Sequence, residues 1–130
     1  MMQPLPLRLL PGDALRASVV AALQASGHEA GFVLQGIGSL RVAQLRYAGQ
    51  PAASELRGDL EILTLAGSLS PDGAHLHMSV SDAQGRVWGG HVCAGCTVRT
   101  TAELLLALLP GRRFTREHDG RTGYPELKIT

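Results

Sequence analysis

Apolar residues along the chain change period several times, and each change marks an element. Leu15, Val19, Val20 and Leu23 recur at helical spacing. Asp13 stands before them as a candidate N-cap and Gly27 after them as a stop, so the spacing predicts a helix over roughly Ala14 to Ser26. Upstream, Pro4, Pro6 and Pro11 forbid helix, and Leu7 to Leu10 reads as an edge strand. Downstream, Gly31 to Gly36 is a short apolar strand, and Leu40 to Tyr47 alternates with a slip between Val42 and Leu45 that predicts a bulge. Gly49 to Ser54 reads as loop and Asp59 to Leu69 as a longer strand, closed by the turn Ser70-Pro71-Asp72-Gly73. Ala74 to Ser81 and Arg86 to Cys93 form a hairpin, and Cys96 to Arg99 is a short strand. Thr100 to Glu103 has the form of a capping box, which predicts a second helix through Leu104 to Leu109, apolar nearly all round and ended by Pro110-Gly111. Arg113 to His118 and Glu126 to Ile129 finish as strands, with Asp119-Gly120 and Thr122-Gly123 as turns. Two main helices among about seven or eight strands predict an α+β fold with a mainly antiparallel sheet.

Composition narrows the picture. The 130 residues suit one domain over residues 1–130, and 45% hydrophobic residues give it material for a core without disulfides or metal. Twelve basic residues against 11 acidic leave a net charge of +1. A dedicated nucleic-acid binder carries a concentrated basic excess to displace counterions from phosphates, so the balance argues against strong autonomous DNA binding. The two cysteines are too few for a disulfide framework. The proline-broken start lacks the pattern of a signal peptide, and no stretch approaches the ~20 apolar residues that span a bilayer. A cytoplasmic location is expected.

The hairpin carries the candidate chemistry. Its tip is Asp82-Ala83-Gln84-Gly85-Arg86, and a three-residue loop ending in a left-handed glycine pairs Asp82 with Arg86. Counting back, Val80 faces Trp88, Met78 faces Gly90, His77 faces His91, Leu76 faces Val92 and His75 faces Cys93. Because side chains alternate, one face holds Leu76, Met78, Val80, Trp88 and Val92, and the other holds His75, His77, Ser79, His91 and Cys93. A slip of one residue would bring histidine beside the core set. Three imidazoles so placed can converge on one ion, and three nitrogens with an open position is the pattern of a catalytic zinc site; nickel, copper and iron also accept imidazole. A polar sheet face, with the histidines bonded to neighbours or lining a subunit contact, accounts for the same pattern. Glu61 and Asp82 are the nearest carboxylates in pattern, and neither is placed as a general base. Cys93-Ala94-Gly95-Cys96 is a C-x-x-C without the following helix that redox motifs use, so both thiols read as small buried hydrophobes, with Cys93 a candidate fourth ligand opposite His75.

These residues also carry a resemblance. The run His75-Leu-His77-Met-Ser79-Val-Ser-Asp82-x-x-Gly85-x-Val87-x-Gly89-Gly90-His91, then Gly95-Cys96-x-Val98-x-Thr100-Thr101-Ala102-Glu103, resembles the PPC domain, also called DUF296. Gly36-Ile37-Gly38-Ser39, Glu61-Ile62-Leu63 and the ending Asp119-x-x-Thr122-Gly123-Tyr124-x-Glu126-Leu127 extend the similarity over nearly the whole chain. The resemblance implies an α+β fold, a homotrimer and a stand-alone prokaryotic member of undefined biochemical role. Some members resemble metal proteins with three histidine ligands, which here implies His75, His77 and His91 around zinc or another divalent transition metal. Plant members join the domain to AT-hook DNA-binding segments. No AT-hook core is present, and the plant partner-binding hexapeptide stands as Gly58-Asp59-Leu60-Glu61-Ile62-Leu63, without its arginine and aromatic. Three functions follow as expectations: a trimeric metal or small-ligand protein, a DNA-associated transcriptional regulator, and a structural interaction module.

Overall fold

In a computed structural model describing residues 1–130, the core is built from one helix and eight strands. In chain order they are β1 (Gln3–Leu9), α1 (Leu15–Ser26), β2 (Gly31–Arg46), β3 (Ser54–Ser70), β4 (Gly73–Ser81), β5 (Val87–Val92), β6 (Thr97–Leu108), β7 (Phe114–Asp119) and β8 (Tyr124–Ile129). Six strands form an antiparallel sheet in the order β1-β6-β2-β3-β4-β5, and β7 pairs with β8 in a separate two-stranded ribbon. The sheet also curls back on itself: Val92 and His91 of β5 pair with Leu45 and Arg46 of β2, closing the circuit β2-β3-β4-β5. Leu15, Val19 and Leu23 of α1 pack into the core, and Gly27 ends the helix in the left-handed conformation at φ 75°. Asp13 does not cap the helix; its carboxylate accepts the Leu10 amide at 2.8 Å and so closes the turn between β1 and α1.

The second expected helix is a strand. Leu104 to Leu108 lie in β6, flanked by β1 on one side and β2 on the other, with Leu104 opposite both Leu7 and Gly36. Six consecutive apolar residues carry no readable period, and a strand hydrogen-bonded on both edges satisfies its backbone as fully as a helix does. The capping-box residues have other partners. The Thr100 amide donates to Ser39 Oγ at 3.0 Å, and Glu103 sits across from Arg8 and Ile37. The fold is therefore mainly antiparallel β with a single helix.

The two strands expected before Tyr47 are one strand, β2, bent by irregularities. The register against β3 shifts between Leu40 and Val42, earlier than the slip read from the apolar pattern. A second shift, against β6, follows Val33, where Gln35 Oε1 accepts the amides of Gly36 and Leu65 at 2.9 and 3.2 Å and replaces lost ladder partners. The expected turn at Ser70–Gly73, the β4–β5 hairpin and the β7–β8 strands are all present. No helix is long and apolar enough to cross a membrane.

Gly67 of β3 lies across from Leu76 and next to the strand that bears the histidines. A Cβ there would run into the backbone carbonyl of His75 and the Leu76 Cα, neither of which can yield without moving β4. Gly67→Ala is expected to cost at least ~2 kcal/mol, the range of overpacking that displaces backbone. Denaturant unfolding beside the wild type measures it, and a cost near zero would mean that β4 is not held against β3 as described.

Candidate metal centre

The β4–β5 hairpin sets the histidines. Its tip closes as the loop length predicts, with Asp82 N–H donating to Arg86 O at 2.9 Å and Gly85 N–H to Asp82 O at 3.0 Å; Gly85 takes φ 79°, a conformation open to glycine at little cost. The Asp82 carboxylate clamps the turn by accepting the amides of Gln84 and Arg86, the Arg86 guanidinium and Trp88 Nε1–H. Burial pushes this carboxyl up, but Trp88, the two amides and Arg86 outweigh it and hold its pKa at about 2. Val80 pairs with Trp88, Met78 with Gly90 and His77 with His91, as the register predicts. Beyond His91 the strands part: Val92 turns to Leu45 and the Cys93 amide to Gln44 O, so the expected Leu76–Val92 and His75–Cys93 pairs do not form. His75 lies instead beside Ser68 of β3.

Leu76, Met78 and Val80 are buried at 0, 4 and 0% exposure, which leaves His75 and His77 on the outer face. The three imidazoles of His75, His77 and His91 form a triangle with ring centroids 5.0, 5.3 and 5.6 Å apart. One nitrogen from each lies within 4.8 Å of the other two, and the Nε2 atoms of His75 and His77 are 3.2 Å apart. Nitrogens bound to one tetrahedral zinc at ~2.0–2.1 Å stand ~3.4 Å apart, so this donor set fits such an ion with small ring rotations. Cys93 is not part of the cluster; its thiol points to the His91 carbonyl, and Cys96 is buried beneath Gln44, where burial raises its pKa. Glu61 pairs with Arg99 and Asp82 with Arg86, so neither carboxylate serves the triad.

Residues that the sequence reading missed complete the surroundings. The β7–β8 ribbon is tied to the body by Phe114, which stacks edge-on against Phe32 at 5.6 Å, and by the Arg116 amide, which donates to Asp72 at 2.8 Å. It thereby forms one wall of an open cleft of about 380 Å³ beside the triad, with Phe32 and Leu127 as apolar lining and Arg116 and Glu126 as charged lining around His75 and His77. Arg46 stands across the ladder from His91. Glu126 and Leu127 fall within the ending that carries the resemblance, but no local motif announces Arg46 or Arg116, and only the long-range strand pairing brings all of them here.

An antiparallel β domain with a three-histidine cluster on its closing hairpin is the class that fold and site define. A family model of the Plants and Prokaryotes Conserved (PCC) domain matches residues 1–110, and the chain belongs to that family, the PPC family of the sequence resemblance. A hypothetical protein from Salmonella enterica is 42% identical with a TM-score of 0.96, over 100% of this chain and 94% of its own. The metal-containing protein of Archaeoglobus fulgidus is 28% identical with a TM-score of 0.83, over 95% of this chain and 91% of its own. The bifunctional protein GlmU of a Synechococcus strain is 50% identical over 124 residues, which are 95% of this chain and 20% of GlmU; the chain thus spans about a fifth of that relative's length. Two further structures whose names propose DNA binding, 18% and 22% identical, share the fold alone.

Burial lowers the pKa of His75 from its ordinary 6.5, with Arg116 and then His77 adding to the effect and Glu126 opposing it. Burial likewise lowers His91, followed by Arg46 and the other two histidines. Both rings are thus held as neutral imidazole, the form that ligates metal. The unfolded chain binds these protons more readily than the folded one, so the stability they confer is complete above pH 6.5 and is lost as pH falls through the lowered folded values. The melting temperature of metal-free protein is expected to fall between pH 7 and pH 5, and the fall to flatten in a His75→Gln/His91→Gln variant. An equally steep fall in the variant, followed by calorimetry, would assign the acid sensitivity elsewhere.

Proposed function

We propose that this chain forms a metal-binding domain in which His75, His77 and His91 hold a divalent transition metal, zinc foremost, as part of a small-ligand site. The convergence of three imidazole nitrogens within 4.8 Å is the observation that carries this reading. The similarity to the metal-containing protein of Archaeoglobus fulgidus supports it. A bound ion would supply Lewis acidity and a water of lowered pKa. The chain's own part is to present neutral imidazoles from two paired strands and to leave the outer side of the triad open to the cleft. The free thiols of Cys93 and Cys96 fit a reducing compartment such as the cytoplasm.

The DNA-associated reading has less support. Arg57, Arg86, Arg99, Arg113, Arg121 and Lys128, half of the 12 basic residues, face carboxylates in ion pairs, which lessens the positive charge available to a phosphate backbone. Homotrimer formation has a specific support on the sheet: Ile37, Leu63 and Leu105 are 50, 43 and 39% exposed on neighbouring strands β2, β3 and β6. Such a patch gains by being covered, and a second copy of the chain suits it.

Elemental analysis tests the metal. Native protein is expected to carry about one zinc or similar ion per chain, as a ligand set contained within one hairpin implies, and His77→Ala/His91→Ala to carry none. Absence of metal from both, with none taken up at micromolar concentration, would leave the histidines as polar residues of a sheet face. Sedimentation tests the assembly: wild type is expected as a trimer and Ile37→Asp/Leu105→Asp as a folded monomer. A monomeric wild type would remove the assembly from this reading.

A further inference from the structure

The cleft beside the triad has walls of opposite character and an arginine that belongs to no ion pair. Its volume, about 380 Å³, stands near the lower end of ligand sites, ~300–1,000 Å³, so it suits a small molecule rather than a polymer segment. Arg116 is seated firmly. Its amide donates to Asp72 Oδ2 at 2.8 Å, and its Nη2 donates to Ser68 Oγ at 2.6 Å, on a serine only 7% exposed. Yet Arg116 belongs to none of the ion pairs that occupy six other basic side chains. A guanidinium has five N–H donors in a rigid fork, and Ser68 engages one of them. The remaining donors lie in a concave site next to His75 and His77.

Charge points the same way. Arg46 flanks the triad on the His91 side, and Glu126 is the one carboxylate lining the cleft, already accepting Thr122 Oγ1–H at 3.1 Å. With a divalent ion on the histidines, Arg116 and Arg46 beside it and Glu126 as the one carboxylate in the cleft, the local charge would be positive by several units. A group of this kind, held in place and partly desolvated, attracts an anion in bidentate geometry.

We propose that the cleft is an anion site, in which Arg116 holds the carboxylate or phosphate group of a small molecule whose other end lies over His75 and His77. The placement of that other end rests on the metal reading; the anion contact does not. Phe32 and Leu127 cover the apolar part of the ligand, and Glu126 favours a hydrogen-bond donor beside its anionic group. The walls that supply Arg116, Glu126 and Leu127 come from the β7–β8 ribbon, beyond the 1–110 segment that the family model matches.

Acetate and inorganic phosphate are the probes, titrated by calorimetry and by following the Arg116 Nε–H resonance in metal-loaded and metal-free protein. Millimolar binding of at least one is expected in both forms, tighter in the loaded one, and the tighter of the two probes identifies carboxylate or phosphate. Arg116→Met is expected to weaken binding at least roughly tenfold, and Arg116→Lys to recover part of it as a point charge without the fork. Metal content by elemental analysis is expected to be unchanged in both variants. No binding of either probe to wild type, a silent Arg116 resonance, or unchanged affinity in folded Arg116→Met overturns the proposal. Arg116-dependent binding to a protein that holds no metal upholds the anion site and removes the metal reading; metal-loaded protein that ignores both probes does the reverse. If Arg116→Met does not fold, the wild-type resonance decides.

Discussion

The alternation of β4 against the core is the constraint on which the site depends. Leu76, Met78 and Val80 are buried to within 4%, and Leu76 lies against the bare backbone of Gly67. Moving β4 by one residue would bury two imidazoles and expose three large apolar side chains. Each of those side chains is worth ~1.5–3 kcal/mol in burial, so the alternative register is excluded by several kcal/mol. The histidines are outward because the core is inward. Their exposure is a consequence of packing before it has any chemical use.

The partner strand is held by different means. β5 is only six residues long and is steered at both ends. At the tip, the Asp82 carboxylate collects four donors from the turn and from Trp88. At the far end, β5 leaves β4 for β2, and this exchange requires Gly90, where a Cβ would stand 2.8 Å from the Arg46 carbonyl oxygen. The crossing closes the sheet, sets His91 beside His77 rather than deeper along the hairpin, and carries Cys93 away from His75. It also places Arg46 next to His91. One glycine thus links closure of the barrel-like circuit to the composition of the site.

What the sequence revealed follows the range of the interactions involved. The hairpin, its register through His77 and His91, and the helix from Leu15 to Ser26 depend on contacts within a few residues, and alternation or helical spacing displays them directly. The run from Leu104 to Leu108 failed because Leu and Ala favour helix locally, while two flanking strands far away in sequence recruit it into the sheet. The departure of β5 toward β2 was illegible for the same reason: nothing at Val92 names Leu45 as its partner. The Arg116 wall of the cleft was hidden. Arg116 meets Ser68, 48 residues away, only because β7–β8 folds back over β3, and neither residue belongs to a motif.

Net charge misleads about this molecule in an instructive way. A value of +1 describes the far field, in which the paired side chains cancel. At a distance of ~8–10 Å, beyond which salt screens exposed charges, the remaining field is that of a few unpaired groups. Arg116 and Arg46 stand on either side of the histidines, with Glu126 alone against them in the cleft. A polymer of phosphates needs cations repeated along a surface, and half of the 12 basic residues here are engaged by carboxylates. A single anionic group needs one seated guanidinium in a concavity, and the β7–β8 ribbon supplies it. The same neutral balance that weakens the case for a long nucleic acid therefore leaves room for a short-range site, and an ion on the triad would strengthen that site further.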